Sequence, residues 1–262
     1  MPRATKFLWS TMMTNPIHLT PQTKLFLSTF PAVTELDLQG VFPSTVEAKQ
    51  FLSMFKHIQS FKTASIDIEH WLVDEVFEIS RPTRLQHISY EFDMPFSPKT
   101  FICLLDMAAD SLEYMSLWLQ AGWTKLPPFK KRAFPSLRSL KFAVISLEAD
   151  EPLFQLTWCA AAMQLFPAAP GLTTLSIDVF ADEPQELTDI LKKSFPFKWR
   201  LFAEIVLRLY PNLRKFVILI SMPYNFGEVM GKLELSTKKV LKGLGERVTI
   251  EWVDEGPKPQ EP

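Results

Sequence analysis

The sequence predicts an α/β solenoid, with parallel strands on a concave face, helices on a convex face and about eight irregular repeats. Three observations point there. A short phrase recurs along the chain: an aromatic, often a proline, then an aliphatic, two residues, an aliphatic, one residue, an aliphatic. Stretches of helical periodicity fill the intervals between its copies. The chain holds only 8 glycines, few for the glycine-rich strand-to-helix turns of a doubly wound sheet.

The phrase is clearest at Phe30-Pro31 leading to Val33, Leu36 and Leu38, and at Phe134-Pro135 leading to Leu137, Leu140 and Phe142. Tyr210-Pro211 leads likewise to Leu213, Phe216 and Ile218, and Phe166-Pro167 with Pro170-Gly171 to Leu172, Leu175 and Ile177. Weaker copies run through Ile58 and Phe61, through Leu85, Ile88 and Tyr90, and through Leu112, Met115 and Leu117; residues 248–253 form a last strand. The aliphatic–x–aliphatic tail alternates with period two, as a strand buried on one face must. Proline ahead of it stops a helix and holds its neighbour extended, so Phe-Pro marks the change from helix to strand.

The anchors Val33, Ile58, Leu85, Leu112 and Leu137 stand 25, 27, 27 and 25 residues apart, and the next intervals, to Leu172 and Leu213, are 35 and 41. Helices are predicted over residues 45–55, 98–109, 153–166, 184–194, 199–210 and 236–244. In the second of these Ser97 stands at the N-cap and Pro98 at the first helical position. Its Phe101, Leu104, Leu105 and Ala108 share one face; Phe202, Ile205, Val206 and Leu209 do the same later in the chain. Trp158 is read as core along with Phe101 and Phe202.

The segments "FPAVTELDL", "FPSLRSLKF", "PGLTTLSI" and "YPNLRKFVI" resemble the degenerate leucine-rich repeats that follow F-box motifs in fungal, basidiomycete-type proteins. The first four intervals fall within the 20–29 residues of such repeats. The resemblance covers residues 24–253. It implies a leucine-rich-repeat-like solenoid that recognises proteins, as the substrate-binding arm of a ubiquitin ligase does. Two departures stand out. The asparagine that usually follows each strand is absent, since Asn15, Asn212 and Asn225 lie elsewhere. The F-box itself is lacking, so a ubiquitin-ligase adaptor is an expected partner only if an F-box is supplied upstream. Residues 1–23 are read as an N-terminal extension or partial capping segment, and residues 254–262 as a disordered polar tail.

Composition narrows the function classes. A net charge of −1 provides no field to gather nucleic acid or an anionic membrane. The local cluster of Lys125, Lys130, Lys131 and Arg132 reads as a solvated loop. The run at Phe7-Leu8-Trp9 is too short for a signal-peptide core, and no run approaches the roughly 20 apolar residues of a membrane span. Cys103 and Cys159 are too few for a disulfide framework and read as buried reduced thiols, so a cytoplasmic or nuclear location is expected.

No catalytic, cofactor or metal site is predicted. The closest approach to a phosphate loop, Gly227 to Leu233, is one residue short and ends in leucine where a hydroxyl is required. His18, His57, His70 and His87 do not pair at metal-binding spacing, and His70 with Asp74 reads as a surface ion pair. The expected function is therefore non-enzymatic protein–protein interaction, with no cofactor and an unidentified protein partner. A stand-alone or degenerate repeat protein and an α/β enzyme on a doubly wound sheet are the alternatives. The candidate partner-binding face consists of strand residues between the aliphatics: Glu35, Asp37, Lys62, His87, Glu91, Tyr114, Trp118, Lys141, Asp178 and Lys215. Ser116 and Val217 occupy equivalent positions. Tyr114 and Trp118 stand out, because aromatics on an open strand face resemble binding hot spots.

Overall fold

The computed structural model describes residues 4–10, 17–70, 85–92, 105, 108–119, 133–144, 152–163, 169–180, 186, 188–189, 192, 195–222 and 227–254. Side chains are described for most of these. The predicted helix over 98–109 (apart from 105, 108 and 109), Cys103, the basic cluster at 125–132 and the tail after residue 254 lie outside them. So do Asp74 and the side chains of His70, Glu91 and Trp158.

The chain is α/β, and contacts divide it into two units. The first runs to Lys130 and takes in residues 134–136; the second comprises residues 131–133 and everything from Leu137 onward. In the first unit, strands β1 (Lys6–Ser10), β2 (Glu35–Ser44), β3 (Ser60–His70), β4 (His87–Phe92) and β5 (Tyr114–Leu119) pair in parallel, each with its neighbour in sequence. Helices α1 (Pro21–Ser28) and α2 (Thr45–Ser53) connect the first three. The second unit pairs β6 (Ser139–Val144), β7 (Thr174–Phe180), β8 (Lys215–Met222) and β9 (Val248–Asp254) in the same sequential, parallel manner. It carries α3 (Pro152–Met163), α4 (Trp199–Leu209), α5 (Gly227–Val240) and a 3₁₀ helix at Lys242–Arg247. Parallel neighbours require crossovers, which α1 and α2 provide among β1–β3 and the helices of the second unit among β6–β9.

Each aliphatic of the recurring phrase is buried. The anchors Val33, Ile58, Leu85, Leu112, Leu137, Leu172 and Leu213 are core, as are Leu36, Leu38, Ile88, Met115, Leu117, Leu140, Leu175, Ile177 and Phe216. The lead-in forms a turn: the Val33, Ile58, Leu172 and Leu213 amides point back to the carbonyls of Phe30, Phe55, Ala169 and Tyr210. Proline suits the second position of such a turn, where Pro31, Pro170 and Pro211 sit, because its φ is already fixed.

One hydrogen-bond step recurs where strands begin. Two successive amides donate to a single carbonyl of the preceding turn: Thr34 and Glu35 to Thr5, Gln59 and Ser60 to Thr34, Gln86 and His87 to Gln59, Glu113 and Tyr114 to Gln86. In the second unit, Thr173 and Thr174 donate to Arg138, and Arg214 and Lys215 to Thr173. Hydroxyls and one amide reinforce it: Ser111 Oγ donates to Leu85 O (2.9 Å), Ser136 Oγ to Asp110 O (2.9 Å) and Asn212 Nδ2 to Pro170 O (2.9 Å). The backbone thus satisfies itself without the missing asparagines.

The structure departs from the sequence reading in several places. Lys6–Ser10 is a strand paired with β2, although it lacks the Phe-Pro lead. Helix α1 starts at Pro21, capped by Thr20, whose Oγ1 accepts from Thr23 N at 3.1 Å. The helix predicted over 236–244 instead begins at Gly227, ends at Val240 and gives way to the 3₁₀ turn, in which Gly245 adopts φ 59. That left-handed conformation is one glycine takes without steric cost.

Candidate functional site

Register sorts the polar strand residues into rows. Across the first unit, one row runs Lys6, Glu35, Ser60, His87, Tyr114, and the next Leu8, Asp37, Lys62, Ser89, Ser116. Ser10 pairs with Gln39, and Glu91 with Trp118. Side chains two apart on a strand share a face, so these rows lie on the side opposite the core. Glu35, Lys62 and His87 are exposed there, and Asp37 and Tyr114 half-buried. Trp118 is 46% exposed and Leu8 63%, so two large apolar side chains stand on a polar face. The His87 and Tyr114 rings meet edge to face, with centroids 6.1 Å apart.

Charges on this face are mostly uncommitted. Glu35 and Lys62 make no ion pair among the described residues, and Asp37 keeps one buried carboxylate oxygen without a hydrogen bond although Lys62 is its register neighbour. Beyond Asp37 the β2–β3 register shifts, and Gly40 follows at φ 148, so the regular rows end there.

The second unit behaves differently. Lys141 Nζ lies 2.6 Å from Asp178 Oδ2, and Lys215 pairs with Glu251. Lys141 and Asp178 sit on neighbouring strands, two register positions apart on one face. Burial pushes the Asp178 carboxyl above the usual carboxylate range, and the hydrogen bond and charge of Lys141 pull it back. Its other oxygen is buried without a partner. Val217, expected to project from this face, is core at 5% exposure, and Ser116 is buried on the equivalent face of the first unit. The reason for Val217 is its setting between two strands, where its register neighbours Ser176 and Thr249 are themselves half-buried.

No protein-family model, curated protein or solved structure matches this chain.

The ten predicted positions consequently fall into two groups. Glu35, Asp37, Lys62, His87, Tyr114 and Trp118 share the open face of the first unit; Lys141, Asp178 and Lys215 belong to the second, where they are tied in ion pairs. Glu91 is placed by its backbone opposite Trp118, its side chain lying outside the described residues. Leu8 is the member that sequence reasoning missed, since its strand lacks the recurring phrase. Alternation of Phe7, buried, with Leu8, exposed, is the signal that could have found it.

Other chemistry has little support among the described residues. They hold no group of three or more His, Cys, Asp or Glu side chains placed to share a metal ion. The glycine-lysine stretch from Gly227 lies inside α5, where helical geometry denies it the loop that cradles a phosphate. Cys159 is a free thiol buried on α3, and burial pushes its pKa far up, away from nucleophilic use. No helix among the described residues is long and apolar enough to cross a membrane.

Proposed function

We propose that the chain is a leucine-rich-repeat-like solenoid serving as a non-enzymatic protein-recognition module, related to the substrate-recognition arm of F-box ubiquitin-ligase receptors. The turn-and-amide step at the starts of successive strands supports the repeat reading. It falls at the same 25- and 27-residue intervals as the anchors early in the chain, and each strand meets only its sequence neighbours within a unit, as in a quasi-one-dimensional stack.

One observation carries the recognition reading: Trp118 is exposed on the same strand face of the first unit as Tyr114, four residues earlier on β5, and as Glu35 and Lys62, which make no ion pair among the described residues. Aromatic anchors ringed by polar groups are the usual composition of a protein-binding hot spot, each worth about 2 kcal/mol or more when fully buried by a partner. The second unit's paired charges leave less there to offer, so the first unit is the recognition surface.

The test is affinity capture with the chain as bait, scored on partners that recur across replicates. Trp118→Ala with Tyr114→Ala should abolish capture of those partners, whereas Leu201→Ala and Leu235→Ala, exposed on helices α4 and α5, should leave it intact. The reverse pattern would place recognition on the helices and overturn the assignment.

A further inference from the structure

The second unit holds a groove of about 850 Å³ between the start of α4 and one side of α5. Its volume lies within the roughly 300–1,000 Å³ of sites that take small molecules. From α5 come Lys232, Leu233, Ser236, Lys239 and Val240. These positions follow i, i+1, i+4, i+7 and i+8, so they form one continuous stripe of the helix. Facing them are Phe195 and Phe197 on the approach to α4 and Trp199 at its first position. Two of these rings pack on each other and on Phe202: Phe197 meets Trp199 edge to face at 4.9 Å, and Phe202 lies 5.5 Å from Phe197 and 5.9 Å from Trp199. The floor is therefore fixed in place, and its lining is mostly carbon.

Among the described residues, the charge around this floor is of one sign once internal pairs are counted. Five cations among the described residues line the groove: Lys192, Lys198, Arg200, Lys232 and Lys239. Lys192 is held by Asp189, and Arg200 by Glu204 at 3.2 Å. Lys198, Lys232 and Lys239 are exposed and have no ion-pair partner among the described residues. Lys198 is also the N-cap of α4, where no side chain accepts from the first-turn amides. The positive end of that helix dipole adds to the three lysines at the groove's rim.

We propose that this groove binds a free single-chain anionic amphiphile, a hydrocarbon tail ending in a carboxylate or phosphate. The tail would lie on Phe195, Phe197, Leu233 and Val240, and the anion would sit among Lys198, Lys232 and Lys239. A nucleotide fits less well, because its base edges need several fixed hydrogen-bonding groups and, among the described residues, the lining supplies only the Thr188 and Ser236 hydroxyls as neutral polar side chains. This site is separate from the strand-face recognition proposed above and does not depend on it.

The probe is cis-parinaric acid, a fluorescent single-chain carboxylate, titrated into the full chain below its micelle concentration. Saturable one-to-one binding is expected, displaced by palmitate and hexadecyl phosphate. Hexadecan-1-ol, with the same chain and no charge, should compete about tenfold more weakly or worse. Combined Lys198→Gln, Lys232→Gln and Lys239→Gln should weaken parinarate by a similar factor and erase the preference over the alcohol. Ser236→Trp, at an exposed position of the stripe, should block binding with helical circular dichroism unchanged. Equal competition by the alcohol, or an unaltered triple variant, would overturn the proposal. Binding to phosphatidylserine vesicles without saturable binding of the free probe would also overturn it, making the lysines a membrane-docking patch.

Discussion

Asp178 and Lys141 illustrate how far individual side chains on the strand faces are committed. The pair is about three-quarters removed from solvent, with 28% of Lys141 and 20% of Asp178 exposed. Burial alone raises the aspartate, so ionising it costs the fold. Its contribution is greatest below the unfolded value near 3.8 and is lost as pH rises through the higher folded value. Lys141 offsets part of that loss by favouring the charged form. Lys141→Met should therefore destabilise the protein by about 1–2 kcal/mol near neutral pH, less than a fully buried pair because both groups retain some water. The deficit should shrink as pH falls and Asp178 takes up its proton. Urea melts of both proteins across pH 4 to 8 check this; a deficit that did not change with pH would mean that Lys141 acts only by packing. This pairing was not legible in the sequence. The two residues are 37 apart and offset by two register positions, and the repeat pattern does not resolve diagonal neighbours.

At the scale of elements, the recurring phrase made most strands legible because each carries its own burial code. Leu36, Leu38, Leu140, Phe142, Leu175 and Ile177 alternate with polar residues, and all face the core. Helix α4 was equally clear, with Trp199, Phe202, Ala203 and Val206 on its buried side. Strand β1 and helix α1 were not, since their placement depends on contacts made by other segments. Phe7 and Trp9 are held by ring contacts at 5.2–5.8 Å with Phe30, Phe51 and Phe55. Phe51, on α2, is fully buried and also meets Phe42 at 5.5 Å. It thus ties α2 to β1 and β2 at once. Phe51→Ala should cost about 3–5 kcal/mol, the range for an aromatic removed from a core that cannot collapse around the void. Thr20→Ala, which removes only the α1 cap, should cost about 1 kcal/mol. Calorimetry of the two variants orders them; a smaller loss for Phe51→Ala would show that the aromatic cluster repacks.

For the whole molecule, the relevant fact is that strands pair only with their sequence neighbours inside each unit. Stability in such an arrangement is close to a sum of nearest-neighbour terms, so damage should remain local. The Phe51 site is a suitable place to test this, because its ring contacts tie α2 to Trp9 on β1 and Phe42 on β2, inside the first unit. Amide hydrogen exchange on Phe51→Ala should show faster exchange at Phe7, Leu36, Leu38 and Phe61, with Leu175, Ile177 and Phe216 unchanged. The same spread bears on the proposed recognition face, since Tyr114 and Trp118 stand on β5, two strands beyond the last one that α2 contacts. Loss of protection should therefore fade before reaching them, and partner capture should survive in the variant at temperatures where the first unit stays folded. Uniform acceleration across all nine strands would instead show that the chain unfolds as one cooperative body, and binding would then be lost along with Phe51.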